Sequence, residues 1–581
     1  MFALPYIFGA INRSRNRLFH FSTEYSSGVK NIAQKSGRPP NILVYSGVDD
    51  QSCREFQQAK QFLQQCLGQD KYVIYQLQHD LILQEPWKEN TELLVLSYNH
   101  ILDKSHENAF DSYVKNGGKL LGFAPSYTLN DSVELIDVDP SIEEIRVHEK
   151  LTKYGRCLQV PSIDKIYEVK REEECLAVSS DTSKPVILSV SLEDGMAILS
   201  TIPIFKDAMN NELNNARIEL VKMLLSYLGI TCGDTKEPVL TNAYLLGDNK
   251  DKEIFLKSIQ DILVNNCFRG NNINIFFTEN KDMPISNENF PVITTTNEQV
   301  SFSLSLYKEH LKTKHLGQLA IYTEVITSTQ TILNGSLKLV RKTLDQYGLV
   351  LVGRQQTIGK GRGGNAWLSP DGCLSFSFPL HIELDTNLGE RLPFVQHIAA
   401  LAVVDAVRCM DGYEDIDLRL KWPNDIYFGK GTKIGGILVN SAIFGKNVYA
   451  TIGIGVNLDN SEPTSCINDM IQQHNVASNM ALRKLSREQL LARILNEMED
   501  IVQVFQRDGP KQFLTKYYQR WLHSDAKVNL GNESGEKVTI KGLDDMGYLS
   551  VVNTLNEVLS VQPDGNSFDM MRNLITIKTR N

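Results

Sequence analysis

No apolar run in the 581 residues approaches the roughly 18 that a membrane-spanning helix requires, and the sequence reads as that of a soluble protein. There is no CxxC pair either. The nine cysteines are scattered singly from Cys53 to Cys466, which fits neither a structural zinc site nor a disulfide framework and points to a reducing compartment. Positive charge is also short, with 60 Lys and Arg against 69 Asp and Glu and a formal net charge of -9. A protein that grips phosphate backbones carries a basic surface, so DNA binding is not expected. The first 38 residues are a local exception: Arg13, Arg15, Arg17, Lys30, Lys35 and Arg38 face only Glu24 and sit among Phe2, Leu4, Ile7 and Phe8. That is the composition of a transit peptide or of an uncleaved disordered tail.

The length exceeds the roughly 250–300 residues at which single cores stop growing, so several folded parts are expected. From Asn41 onward, apolar runs (Ile42–Tyr45, Tyr72–Tyr75, Leu93–Leu96, Lys119–Phe123) alternate with helical patterns at Ser52–Leu67 and His106–Asn116. This βαβ rhythm predicts an open parallel sheet. The turn after Phe123 reads Ala124-Pro125-Ser126-Tyr127, without a thiol, and Thr201–Phe205 holds neither a His nor an acid. Nucleophilic catalysis in this part is therefore not expected.

The richest stretch for chemistry runs from Gly353 to Gly372. It joins the strand-like Leu349–Val352 to the alternating Leu374–Phe378 and contains Gly359, Lys360, Gly361, Arg362, Gly363, Gly364 and one large aromatic, Trp367. Backbone freedom combined with positive charge and an apolar lid suits an anionic ligand. Gly359–Gly364 formally spells GxGxxG, but a dinucleotide fold needs a helix to follow, and Pro370 and Gly372 oppose one. The Walker pattern fails as well, because Gly364 is followed by Asn365 rather than by Lys and Ser or Thr.

Further on come Lys421-Trp422-Pro423-Asn424-Asp425, Lys433-Ile434-Gly435-Gly436-Ile437-Leu438 and Gly453-Ile454-Gly455-Val456-Asn457. In this order, after Thr327-Ser328-Thr329-Gln330, these motifs resemble the biotin protein ligase family, of the eukaryotic holocarboxylase synthetase type. The specific likeness covers about residues 315 to 581. Up to about Cys232 the chain resembles, at the level of fold, the class I glutamine amidotransferase-like domain at the front of eukaryotic biotin ligases. The implied architecture is multidomain, α/β and α+β. A non-catalytic amidotransferase-like α/β domain would span 39–232 and a linker region 233–314. A class II synthetase-like α+β ligase domain would span 315–523, and a small C-terminal β-barrel 524–581.

The resemblance implies activation of biotin by ATP, with Mg2+, to biotinyl-5'-AMP and transfer of biotin to a lysine of apo-carboxylases, in the cytoplasm or the mitochondrion. Ser328, Thr329, Gln330 and Gln356 would bind the biotin head. Gly359, Lys360, Gly361 and Arg362 would order the loop over the adenylate, Lys421 would meet carboxylate and phosphate, and Asn457 the adenine side. Trp367 would exclude water from the mixed anhydride, whereas Trp422 is expected to pack in the core. Gly435-Gly436 and Gly453-Ile454-Gly455 are read as bulges that bring the backbone close to a flat ligand, and Asp425 as a metal ligand, a partner of Lys421 or an ordinary turn aspartate. All these motifs lie beyond Lys308, so a fragment beginning there is expected to keep the adenylating activity. Lipoate-type ligases share the chemistry but not the KWPND and GKGRGGNAW motifs. A ligase-repressor would need a helix-turn-helix ahead of the catalytic part, and the strand-rich front opposes that. A purely binding protein would not need the intact motifs of the second half.

Overall fold

The computed structural model describes residues 40–577 apart from 49–50, 69–70, 84–86, 99–101, 124–125, 130–132, 153–154, 170–173, 206–210, 234–237, 272, 296–299, 532–534, 564–565 and 570–573. The basic segment 1–38 and the turn residues Ala124 and Pro125 lie outside the described residues.

The first sheet begins with the predicted alternation: β1 (Asn41–Tyr45), α1 (Ser52–Cys66), β2 (Val73–Gln76), β3 (Thr91–Leu96), α2 (Lys104–Lys115) and β4 (Lys119–Gly122). It continues through β5 (Val133–Val147), β6 (Arg156–Val169), β7 (Glu174–Ser179), β8 (Pro185–Leu192) and β9 (Gly195–Ser200), and ends with α3 (Asn211–Tyr227). The order is β2-β1-β3-β4-β9-β8-β7-β5-β6. The first five strands are parallel, as expected, and the other four pair antiparallel. The parallel expectation thus covers part of the sheet. β8 and β9 are joined by Glu193-Asp194 alone, and so short a connection permits only antiparallel pairing.

The second sheet starts earlier in the chain than its motifs do. It is built from β10 (Ala243–Leu246), β11 (Cys267–Arg269), β12 (Asn274–Thr278), β13 (Asn289–Ile293), β14 (Ala320–Ile326), β15 (Val350–Gln356), β16 (Cys373–Glu383), β17 (Leu418–Lys421), β18 (Asp425–Phe428), β19 (Thr432–Phe444) and β20 (Asn447–Asn457). The order is β11-β12-β13-β10-β14-β15-β16-β20-β19-β18-β17. Ala243–Leu246 pairs residue by residue with Ala320–Thr323 of β14, so the strands of 233–314 extend this sheet. Among its helices are α4 (Asn249–Ile259), α5 (Leu304–His310), α6 (Thr329–Asn334), α7 (Leu337–Tyr347), α8 (Phe394–Arg408), α9 (Ile467–Ser478), α10 (Arg487–Asp508) and α11 (Pro510–Arg520).

Helix α8 is buried along almost its whole length because it lies between the strands β17–β19 and α10 and α11. Its Ala and Val residues suit such close packing on all sides. The helical spacing of Leu490, Leu491, Ile494, Leu495, Met498, Ile501 and Phe505 builds α10, started by the Ser486 hydroxyl accepting the Gln489 N–H at 3.2 Å. Trp422 is 1 % exposed and belongs to this core, in line with the packing role expected of it.

The third sheet, β21 (Lys527–Gly531), β22 (Glu536–Leu543), β23 (Leu549–Asn553), β24 (Val558–Val561), β25 (Asn566–Asp569) and β26 (Leu574–Ile577), has the order β24-β23-β22-β21-β26-β25. His397 of α8 ties it to the second: its Nε2 lies 2.9 Å from the Gly547 carbonyl oxygen and its Nδ1 3.2 Å from Tyr517 Oη.

Candidate active site

β15 and β16 are antiparallel neighbours, with Gly353 opposite Ser375, so the glycine-rich stretch is the loop between two adjacent strands, and no α-helix follows the GxGxxG spelling. The loop folds back on itself. The Trp367 N–H donates to the Gly359 carbonyl at 2.9 Å and the Gly361 N–H to that of Asn365 at 2.7 Å, around a turn at Arg362–Gly364. Gly363 (φ 65°) and Gly364 (φ 82°) adopt left-handed backbone there, which explains the glycine pair. Lys360 is exposed, and Arg362 donates through Nη1 to the Pro563 carbonyl.

The motifs meet along one register row. Gly353 pairs with Ser375, Ser375 with Gly455, Gly455 with Gly436, Gly436 with Asp425, and Asp425 with Lys421. Cross-strand partners share a face of the sheet, and at ~4.8 Å per strand this row runs about 24 Å. Gly, Ser, Gly and Gly leave a shallow floor that ends at a carboxylate and a lysine. Residues two apart on a strand also share a face, so Thr451, Gly453, Gly455 and Asn457 of β20 line the same side. This alternation is the physical reason for the spacing of GIGVN. The β20 ladders are regular at both glycines; the bulge in this region falls at Ile434, next to Gly435, where Ile426 faces Gly435 and Tyr427 faces Lys433.

Close approach accounts for two of the glycines. A Cβ on Gly453 would lie 2.4 Å from Gln330 Oε1, and one on Gly455 would lie 2.5 Å from Trp367 Nε1. The indole therefore rests on the floor of the row, half-buried, with Lys433 Nζ 5.7 Å from its ring centroid.

Over β16 and β20 sits α6, capped by Ser328, whose hydroxyl accepts the Thr331 N–H at 3.4 Å. Ser328, Thr329 and Gln330 are all buried. The Thr329 N–H donates to Gln356 Oε1 at 2.9 Å, its hydroxyl lies 2.8 Å from that of Ser377, and Gln356 Nε2 donates to Ser369 Oγ at 3.0 Å. Gln330 Nε2 donates to Asn440 Oδ1 and to the Thr451 carbonyl. Gln330 Oε1 and Thr451 Oγ1 are buried with no hydrogen-bond partner. Such orphans are costly without a ligand or an ordered water.

At the far end of the row Lys421 is 4 % exposed, and its Nζ donates to Tyr427 Oη at 3.2 Å. The following Trp422 N–H donates to His523 Nε2 at 2.9 Å. Burial, and then the Lys421 charge, lower the His523 pKa from 6.5 to about 3, so this ring is neutral and accepts. Asp425 pairs with Lys433 at 2.7 Å, which leaves its expected role beside Lys421 to the shared register position alone. Asn457 is fully engaged: its amide donates to Thr464 Oγ1 and the Ser465 carbonyl, and its oxygen accepts from Asn460 Nδ2 at 3.0 Å. The buried atom without a partner at this place is Asn460 Oδ1.

Four features escaped the sequence reading: Thr451, Lys433, Asn460 and the Tyr427–His523 surround of Lys421. Only Lys433 carried a signal, as the first residue of its motif.

The Biotin/lipoate A/B protein ligase family profile matches residues 322–457, and the profile "Biotin-protein ligase, N terminal" matches 40–152. The human biotin–protein ligase is 34% identical over 96% of this chain and 82% of its own. The chain belongs to the biotin–protein ligase family. The family member of Schizosaccharomyces pombe is 32% identical over 75% of this chain and 76% of its own. Among solved structures, the biotin protein ligase of Aquifex aeolicus in complex with biotin and ATP covers 43% of this chain and 96% of its own at 25% identity, with a TM-score of 0.32.

Proposed function

We propose that this chain activates biotin with ATP and passes the biotinyl group to a specific lysine of biotin-dependent apo-carboxylases. In the first step a biotin carboxylate oxygen attacks the α-phosphorus, a P–O bond forms, and pyrophosphate leaves. In the second, the acceptor ε-amine attacks the carbonyl of biotinyl-5'-AMP, AMP leaves with the electron pair of the broken C–O bond, and the nitrogen loses a proton. The observation that carries the reading is the small-residue row from Gly353 to Lys421 with Trp367 resting on it. It supports a flat, water-poor cleft with a buried cation at one end, where two anions must meet.

In this reading Ser328, Thr329, Gln330 and Gln356 hold the biotin head. The orphaned Gln330 Oε1 is an acceptor for a ligand N–H, and the Thr451 hydroxyl offers a donor. Lys421 faces the carboxylate and α-phosphate, Lys360 and Arg362 approach the phosphate from the loop, and Trp367 excludes water. Gly435 and Gly436 let the ligand lie close to the backbone, and Asn457 acts on the adenine side by holding Asn460. Asp425 is already paired with Lys433, and no group of three His, Cys, Asp or Glu side chains gathers among the described residues. These residues do not build a resident metal site. Mg2+ would accompany ATP on its phosphate oxygens.

The region 39–232 is assigned to a non-catalytic amidotransferase-like domain. The catalytic domain is read as 315–523 together with the strands that precede it in the second sheet, and the six-stranded sheet of 524–581 as the small C-terminal β-barrel. Cytoplasm and mitochondrion are the proposed locations. The test is incubation with biotin, MgATP and an apo-carboxylase fragment; lysine-linked biotin is the expected product, and its absence with folded protein refutes the proposal.

A further inference from the structure

The glycine-rich loop is held from two sides. On its turn, Arg362 donates to the Pro563 carbonyl, beyond β24. On its returning limb, the Ala366 N–H donates to Tyr75 Oη across 3.2 Å. Tyr75 belongs to β2, the edge strand of the first sheet, and its ring packs against the N-terminal core. Within the loop, the hairpin and its turn use the amides of Gly361, Asn365 and Trp367, which leaves that of Ala366 for the phenol. The next residue is Trp367, whose indole rests on Gly455. Fixing Ala366 fixes the backbone from which the indole hangs. Burial raises the Tyr75 pKa, so the oxygen that accepts this bond keeps its proton.

We propose that Tyr75 is a positioning residue for the ligase reaction, which through the Ala366 amide keeps Trp367 seated on Gly455 and so retains biotinyl-5'-AMP until the acceptor arrives. The proposal rests on the functional reading above. It makes the N-terminal sheet a brace of the catalytic loop and gives a specific contact through which a change in that sheet reaches the adenylate.

The test uses the full chain. Tyr75→Phe keeps the ring and deletes the hydroxyl, Ala366→Pro deletes the donor, and the double variant closes a thermodynamic cycle. Each protein is loaded with biotin and MgATP and stripped of free ligand, and the release of biotinyl-5'-AMP is timed. Trypsin cleavage after Lys360 and Arg362 gives a second readout, and thermal melting controls for folding. One neutral hydrogen bond corresponds to about two- to tenfold in an equilibrium. Tyr75→Phe should release the adenylate faster by about that factor, lose trypsin protection in parallel, and raise KM for biotin more than it lowers kcat, with unchanged melting. The double variant should be no worse than Ala366→Pro alone. Wild-type retention and protection in Tyr75→Phe, or additive effects in the double variant, overturn the proposal and leave the functional reading standing. A folded wild type that forms no adenylate overturns both. Where one single variant fails to fold, the other decides.

Discussion

Gly455→Ala adds one methyl group under the indole of Trp367, and its consequence follows from what can move. The new Cβ would stand 2.5 Å from Nε1, 2.9 Å from Cε2 and 3.1 Å from Cδ1 of the ring. Ordinary contact begins at 3.4 Å, so the shortfall at Nε1 is 3.4 − 2.5 = 0.9 Å. Strand β20 cannot supply that distance, because Gly455 is clamped between Ser375 and Gly436 in continuous ladders. The indole is the part that gives way, since it is half-buried on a loop. Overpacking an interior costs typically about 1–3 kcal/mol, but here most of that strain escapes by lifting the lid. The effect should therefore appear in activity more than in stability. A displacement of about 1 Å at a positioned group can cost on the order of 100-fold in rate. Biotin-dependent pyrophosphate exchange should fall toward that extent, and the tryptophan fluorescence response to biotin should shrink, with little change in the melting temperature. Gly431→Ala, with nothing within 4 Å of the new Cβ, is the neutral control. A Gly455→Ala protein with wild-type exchange and an unaltered fluorescence response would show that Trp367 does not cover the ligand.

Lys421→Ala removes the buried cation at the end of the row; pyrophosphate exchange should drop about 100- to 1,000-fold with the fold intact, and undiminished exchange refutes its role. Arg362→Gly should let the adenylate escape and biotinylate a bystander protein that lacks an acceptor sequence, with equal loop protection by ligand and no leakage as the contrary result. His397 and His523 are held neutral, with pKa values lowered by burial from 6.5 to about 4 and about 3. Their contribution to stability is complete above pH 6.5 and drains as the pH falls toward those folded values, at up to about 1.4 kcal/mol per pH unit for each histidine. Denaturant midpoints measured between pH 7 and pH 5 should fall less steeply for His397→Gln than for the wild type, and identical slopes contradict the assignment. A fragment starting at Lys308 would split α5 (Leu304–His310) and strip β10 from β14. It should be insoluble, whereas one starting near Val239 should retain exchange activity; solubility and exchange measured on both fragments decide.

Much of this protein was legible before any tertiary structure. The apolar runs of β1, β3 and β4, the helical stripe of α10 with its Ser486 cap, and the strand-to-strand nature of the glycine-rich loop follow from local periodicity and turn chemistry, which act over a few residues. The motifs of the second half identified the family, because their residue types and order are specific to its chemistry. Pairing between distant segments was not legible. Nothing in Ala243–Leu246 announces that it belongs beside Ala320–Thr323, since a short apolar strand can pair with any free edge. The antiparallel half of the first sheet was missed for the same reason.

The sequence by itself determined the family, through the types and order of its glycines, its cationic loop and the lysine before Trp422. Only the tertiary structure decided their arrangement. Register placed Gly353, Ser375, Gly455, Gly436, Asp425 and Lys421 in one row, bound Asp425 to Lys433 rather than leaving it to a metal or to Lys421, and turned Asn457 inward upon Asn460. It also brought Tyr75 to Ala366 across 291 positions of chain. Hydrogen-bond partners at such separations are selected by the packing of whole sheets, and no window of sequence contains that information.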